Sequence, residues 1–221
     1  MSEFNMDWDR ERRTGAAEAV LCDGKRPDQI AAIVRNGAAE GRRLLLTRLD
    51  PEIAAALPDA ARLDYEPVGR TGILGGIAGD LRPGAGIVTG GSSDLGVATE
   101  AARTLAFHGH AAPIVADVGV AGLWRLLDRI EEIRAFRVII AVAGMEGALF
   151  SVLTGLVHAP VIALPSPCGY GVAQDGAAAL TSALASCAAG LTVVNTGNGF
   201  GAACAAIRIL RMVREDGDGA G

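Results

Sequence analysis

Short apolar runs alternate with longer amphipathic stretches through most of this chain, and the change of period marks the elements. Five runs have the length and β-branched content of strands: "GIVTG" from Gly86, "APIVADV" from Ala112, "RVIIAVAG" from Arg137, "APVIAL" from Ala159 and "LTVVN" from Leu191. The segments between them have helical length and spacing. A repeated βα pattern of this kind predicts an α/β fold, a doubly wound parallel sheet flanked by helices with right-handed crossovers. The region before Gly86 is charged and helical in pattern. In "KRPDQIAAIVRNGAAEG", Pro27 precedes apolar Ile30, Ile33 and Val34 and a glycine closes the run, as in a short helix. An apolar "LLLTRL" follows from Leu44, and "TGILGGIAGDLRPGAG" from Thr71 reads as a glycine-rich connection. The predicted organisation is a small α+β N-terminal domain with its linker over 1–80, an α/β domain over 81–214 and a disordered tail over 215–221.

Composition narrows the class. Of 221 residues 50% are hydrophobic but only 4% aromatic, so the core must be built from Val, Ile, Leu and Ala, as in strands covered on both faces. The formal net charge of -5 gives no general attraction to phosphate backbones or anionic lipid, which argues against nucleic-acid and membrane partners. The N-terminal "MSEFNMDWDRERRTG" has no apolar segment of a secretory signal, and the cytoplasm is the expected compartment. The apolar stretch from Val138 to Pro165 is broken by Gly144, Glu146, Gly147, Gly155, His158 and Pro160, so it reads as core and not as a membrane span. Cys22, Cys168, Cys187 and Cys204 show no CxxC spacing and are expected as free thiols.

In a doubly wound sheet, ligands bind outside the carboxyl ends of the strands. Here those ends carry "TGGSSDLG", "ADVGVAG", "AGMEGALFS", "PSPCGYG" and "NTGNGFGAA", in which glycine recurs beside Ser, Asp, Glu, Tyr or Asn. Such an edge describes a pocket for a large, anionic, partly planar ligand. Gly197, Gly199 and Ala202 form a G-x-G-x-x-A pattern that serves either a phosphate or close helix packing. "GGSSDLG" lacks the lysine of a P-loop; its serines either bind phosphate at a helix start or cap that helix. Glu146 stands inside an apolar run, where burial without a partner would cost several kcal/mol, on the order of a buried-charge penalty; it has a function or it is a helix N-terminal acid. Asp117 carries the same two readings. His108, His110 and His158 have no ligand spacing, and no zinc site is predicted. From the residues alone, Cys187 reads as buried filler at the sheet end opposite the pocket.

Taken in order, "SSDLGVATEAA", "DVGVAGLWRLL", "VAGMEGAL", "GYG" and "ASCAAGLTVVNTGNGFGA" resemble the LarB family, carboxylase/hydrolases of nickel-pincer nucleotide cofactor biosynthesis, with a domain related to the aminoimidazole ribonucleotide (AIR) carboxylase PurE. "DWDRERRTGAAEAVLCDGK" and "LLLTRL" are similar to the family's leading domain. The resemblance implies carboxylation of the pyridinium ring of nicotinic acid adenine dinucleotide through a cysteinyl adduct, then phosphoanhydride hydrolysis to pyridinium-3,5-biscarboxylic acid mononucleotide and AMP. It implies Cys187 as nucleophile, with Glu146 and Asp117 as proton-transfer and positioning acids. Substrate would be held by Ser92, Ser93 and Asp94, Gly119 and Arg125, Gly144 and Met145, Gly169, Tyr170 and Gly171, and Asn195, Asn198 and Gly199. No tightly bound cofactor is implied; Mg2+ is an optional assisting ion, CO2 or bicarbonate the co-substrate, and the chain a homo-oligomer of dimers assembled to an octamer. The sequence departs from the family pattern at Ala185 (usually Asn), Gly197 (usually Asp), Trp124 (often His) and Cys168 (usually Val). Those departures bear on the hydrolytic step, and the alternatives are a diverged PurE-like nucleotide carboxylase or mutase and a non-catalytic nucleotide-binding protein.

Overall fold

The computed structural model describes residues 4–58, 63–77 and 79–218, which form two sheets. After a short helix α1 (Arg10–Thr14), strand β1 (Ala19–Leu21), helix α2 (Pro27–Ala39) and strand β2 (Leu44–Thr47) make a parallel crossover. Helix α3 (Pro51–Ala56) leads to the hairpin of β3 (Leu63–Glu66) and β4 (Thr71–Leu74), and β4 docks antiparallel on β2 to give the order β1-β2-β4-β3. Ile30, Ile33 and Val34 of α2 bury against Leu44 and Leu46, as their helical spacing predicts. The reading of "TGIL" as connection is corrected, because it forms β4. Its glycine is a packing requirement: a Cβ on Gly72 would press into the Leu63 side chain of the neighbouring strand.

The second sheet is all parallel: β5 (Ala85–Thr89), β6 (Ile114–Val115), β7 (Val138–Ala143), β8 (Val161–Pro165) and β9 (Thr192–Val193), in the order β6-β5-β7-β8-β9. All six residues of β7 are buried. Val138, Ile140 and Val142 face α4 (Leu95–Phe107) and α9 (Gly199–Asp218). Ile139, Ala141 and Ala143 face α5 (Leu123–Asp128), α6 (Ile130–Arg134), α7 (Ala148–Thr154) and α8 (Ala177–Leu184). This is the expected doubly wound sheet, each buried branched side chain contributing about 1.5–3 kcal/mol relative to exposure. Residues 215–218 of the expected tail continue α9, and 219–221 lie outside the described residues. Among the described residues no helix is long and apolar enough to cross a membrane.

The two sheets are joined through α4. Leu45 and Ile73, on the face of the small sheet turned away from α2, pack on Phe107, and the Arg43 guanidinium lies 4.4 Å over that ring while donating to the Phe107 carbonyl at 2.7 Å. Buried His108 adds a polar tie. The Thr104 carbonyl, 2.8 Å from Nδ1, can only accept, so Nδ1 carries the proton and Nε2 accepts the Ala17 N–H at 2.9 Å. Burial holds the pKa of this imidazole below its usual value, favouring the neutral ring the tie requires.

Candidate active site

Strand order sets the place of the site. The chain runs from β5 outward to β6, then crosses back over β5 to β7, so the loop after β5 leads to a helix on one face and the loop after β7 to a helix on the other. Their divergence opens a crevice of about 430 Å³ at the carboxyl edge, lined from the loops after β5, β6, β7 and β8.

Asp94 forms its floor. It ends a single 3-10 turn after β5, is 4% exposed, and its carboxylate accepts the Gly91 N–H at 2.9 Å together with bonds from the Ser166 hydroxyl and the Gly144 N–H. Burial pushes its carboxyl above the usual carboxylate range, and those three donors oppose the shift. One side chain thereby ties three strand-end loops together. In the loop after β6, Asp117 sits at a φ of 57° with its N–H on Thr89 Oγ1 at 3.1 Å; its carboxylate meets Arg125 Nη1 at 3.1 Å, and Arg125 Nη2 donates to the Gly119 carbonyl at 3.2 Å. After β7 the chain turns through Met145, at a φ of 50°, whose N–H reaches the Cys168 carbonyl at 3.1 Å. Two non-glycine residues in left-handed backbone, each costing about 1–3 kcal/mol, mark loops held in place by their surroundings.

Ser93, Asp94, Gly119, Arg125, Gly144, Met145, Glu146, Gly169 and Tyr170 all line this crevice, and Asp117 is attached to it through Arg125. The premise that Glu146 is buried is corrected: the strand ends at Ala143, the loop bends out through Gly144 and Gly147, and Glu146 is exposed at the mouth. Ser92 and Gly171 are exposed beside the crevice and do not line it. Asn195, Asn198 and Gly199 lie elsewhere, after edge strand β9. Asn198 Oδ1 accepts the Gly201 N–H at 2.8 Å, and a Cβ on Gly199 would press on Val97 and Ala101 of α4. Buried Glu100, unnoticed in the sequence, accepts the Phe200 N–H at 2.9 Å. Of the G-x-G-x-x-A glycines, Gly199 therefore serves helix packing and Gly197 a left-handed turn at a φ of 65°, and a carboxylate of the chain itself already occupies the helix N-terminus.

Burial pushes the Glu100 carboxyl above the usual value of 4.5, and the Phe200 N–H opposes this. With the folded value raised, its stabilising contribution is complete below 4.5 and is lost as pH rises through the folded value. Glu100→Gln keeps an acceptor for Phe200 and removes the charge, so its melting temperature should gain on wild type as pH rises from 4.5 to 7. A gap that stays constant across that range in parallel thermal melts would refute the assignment.

The four cysteines, free thiols all, separate by environment. Burial pushes Cys22 up to about 12 and Cys204 up to about 11, making both inert packing groups. Cys168 lines the crevice and donates its thiol to the Ser93 carbonyl at 3.0 Å. Cys187 is exposed, which corrects its reading as buried filler: α8 ends at Leu184 and the following loop runs over the surface to β9. Ser186, next to Cys187, shares a 2.7 Å hydroxyl hydrogen bond with Ser151 of α7, and Cys187 itself does not line the crevice of its own chain.

Comparison with known proteins resolves what kind of protein carries this crevice. Residues 1–75 match the LarB/PurE-like N-terminal domain, and residues 85–217 match the AIR carboxylase family. The chain belongs to the LarB family. An uncharacterized protein of Methanocaldococcus jannaschii is 34% identical to this LarB-family chain over 222 residues, covering 96% of it and 86% of the relative. A crystal structure of a single-site variant of Treponema denticola PurE2 is 24% identical and superposes with a TM-score of 0.44 over 60% of this chain and 82% of the other. The two matched domains make the protein a PurE-like, nucleotide carboxylase-type enzyme of the carboxylase and mutase class.

Proposed function

We propose that this LarB-family chain carboxylates the pyridinium ring of nicotinic acid adenine dinucleotide and then cleaves the phosphoanhydride, releasing pyridinium-3,5-biscarboxylic acid mononucleotide and AMP. The observation that carries this reading is an acid-lined crevice at the switch point of a LarB-family chain whose first part matches the LarB/PurE-like N-terminal domain and whose second matches AIR carboxylase.

A pyridinium ring is electron-poor and does not attack CO2. Addition of the Cys187 thiolate to the ring forms a C–S bond and turns the adjacent carbon into a nucleophilic enamine carbon. That carbon forms the new bond to CO2. A carboxylate then removes its proton as the C–S bond breaks, which returns the electron pair to the ring and the thiolate to Cys187. The net change is C–H replaced by C–CO2⁻ with one proton released, and no oxidant is consumed. Glu146, exposed at the mouth on a loop bent by two glycines, is the group we assign to the proton. Asp117, fixed by Arg125, holds that cation where the substrate carboxylate would enter. In hydrolysis, water adds to one phosphorus while its bond to the bridging oxygen breaks, leaving two phosphomonoesters. Among the described residues no group of three or more His, Cys, Asp or Glu side chains is placed to hold a metal, and no step is assigned to one.

Since Cys187 does not line the crevice of its own chain, the proposal has a second copy present it. Trp124, Val172 and Leu184, which are 66%, 98% and 69% exposed, supply apolar surface suited to such a contact.

The test is mass spectrometry of products after incubating the protein with nicotinic acid adenine dinucleotide and bicarbonate, with and without Mg2+. A dicarboxylated mononucleotide and AMP are expected. A dicarboxylated dinucleotide without AMP would confine the chemistry to carboxylation, and unchanged substrate would refute the proposal.

A further inference from the structure

A second cavity, of about 440 Å³, lies between the two sheets. Asp23, Arg48, Val68 and Arg70 of the N-terminal part form one wall, and Val97, Glu100 and Pro167 belong to the other. Ser93 and Cys168 line both this cavity and the crevice, so the two are neighbours across a shared rim. Each is of a size that holds one small ligand, within about 300–1,000 Å³.

The two arginines are built into the cavity together. The Leu49 N–H donates to the Arg70 carbonyl at 2.8 Å and Arg70 Nη2 to the Arg48 carbonyl at 3.4 Å, pairing the two residues at the ends of β2 and β4. Both occupy left-handed backbone, at φ 52° and 50°, a cost of about 1–3 kcal/mol apiece that a surface arginine without a task would not need. Arg48 Nη2 crosses the cavity to the Gly197 carbonyl at 2.9 Å, while Nη1 meets Asp23 at 3.3 Å. Arg70 Nη2 meets Asp50 at 2.6 Å and Asp23 at 3.8 Å, and its buried Nε has no acceptor among the described residues. Asp23 and Asp50 are about half exposed, so these pairs orient the guanidiniums at small net energy and yield readily to a better acceptor. Glu100, the remaining acid of the wall, is already committed to the Phe200 N–H. Val68, Val97 and Pro167 supply apolar surface for a base or a ribose.

We infer that this interdomain cavity is the subsite for the adenylate half of a dinucleotide. Arg48 and Arg70 bind its phosphate, since a guanidinium fork matches phosphate oxygens. The phosphoanhydride lies over the shared rim at Ser93 and Cys168, and the other nucleotide occupies the crevice. This deepens, and rests on, the dinucleotide reading above; it gives the N-terminal part a substrate-selecting role.

Equilibrium dialysis of the full chain with AMP and, separately, with nicotinic acid mononucleotide tests it. In Arg48→Met, Arg70→Met and Val68→Glu, AMP affinity should fall about tenfold or more, while mononucleotide affinity changes less than about twofold. Val68 is 54% exposed, so Val68→Glu adds a repelling charge with both arginines in place and keeps the test decisive if an arginine variant misfolds. AMP binding indifferent to Val68→Glu and the folded arginine variants, equal losses for both nucleotides, or no AMP binding beside normal mononucleotide binding would overturn the cavity assignment and leave the dinucleotide reading intact. Binding of neither nucleotide would overturn the reading, and the subsite with it.

Discussion

Replacing Cys187 by serine is expected to lower carboxylation by roughly 10³-fold or more while leaving nucleotide binding and thermal stability at wild-type levels. A hydroxyl is far less ionised than a thiol at neutral pH and does not add to the ring, and the side chain is exposed, so no packing is lost. The informative part is where the thiol acts. Cys187 is not among the residues that line the crevice of its own chain, and the proposal takes the thiol from a second copy. A sharper experiment follows from that arrangement. Glu146→Gln, altered in the crevice, and Cys187→Ser, altered outside it, should each be inactive alone, yet co-expressed they should recover about a quarter of wild-type activity through sites that pair an intact crevice with an intact cysteine from another copy. Full activity of Cys187→Ser would remove the cysteinyl adduct. Inactive single variants without recovery on co-expression would place both groups in one chain and remove the second copy from the site.

The strands of the large sheet were legible because a parallel strand buried on both faces needs an unbroken β-branched run, and "VIIAVA" has one. The small sheet was not. β1 and β3 have three and four residues, and β4 is hidden in glycine-rich sequence; each is a strand only through its neighbour in the sheet. The crevice loops were readable from glycine beside acid at each strand end, yet the same signal misplaced Asn195, Asn198 and Gly199. A glycine admitting a ligand and one admitting a helix look alike, and Val97 and Ala101, which decide the matter for Gly199, are about a hundred residues away in sequence. Glu146 was taken for a buried charge because apolar neighbours in sequence are not neighbours in space once a chain leaves its sheet. Gly144 and Gly147, on either side of it, were the available clue. Arg48 and Arg70 gave no signal at all, since their pairing depends on β4 docking against β2.

Gly144→Ala is expected to be among the most damaging single-methyl changes in the chain. An added Cβ would overlap the Cys168 carbonyl oxygen, a backbone atom that cannot rotate away, so the loops after β7 and β8 must part. Parting them breaks the bond from the Met145 N–H to that same carbonyl, at 3.1 Å, and withdraws the Gly144 N–H from Asp94, whose buried carboxylate is then left with fewer donors. Overpacking of this kind costs about 1–3 kcal/mol, a drop in melting temperature of roughly 2–10 °C for a chain of this size. Activity should fall further than stability, by about 10²-fold, because the displaced loop carries Met145 and Glu146 and a shift near 1 Å is enough to spoil proton transfer. Gly155→Ala supplies the contrast: Gly155 closes α7 in right-handed backbone, with only ordinary contacts for a Cβ, and its change should stay within about 0.5 kcal/mol of wild type. Equal melting temperatures and equal rates for the two variants would show that the β7 and β8 loops do not form the floor on which substrate rests. Loss of activity in Gly144→Ala with the melting temperature almost unchanged would mean that the loops give way easily, and that catalysis depends on their spacing far more than folding does.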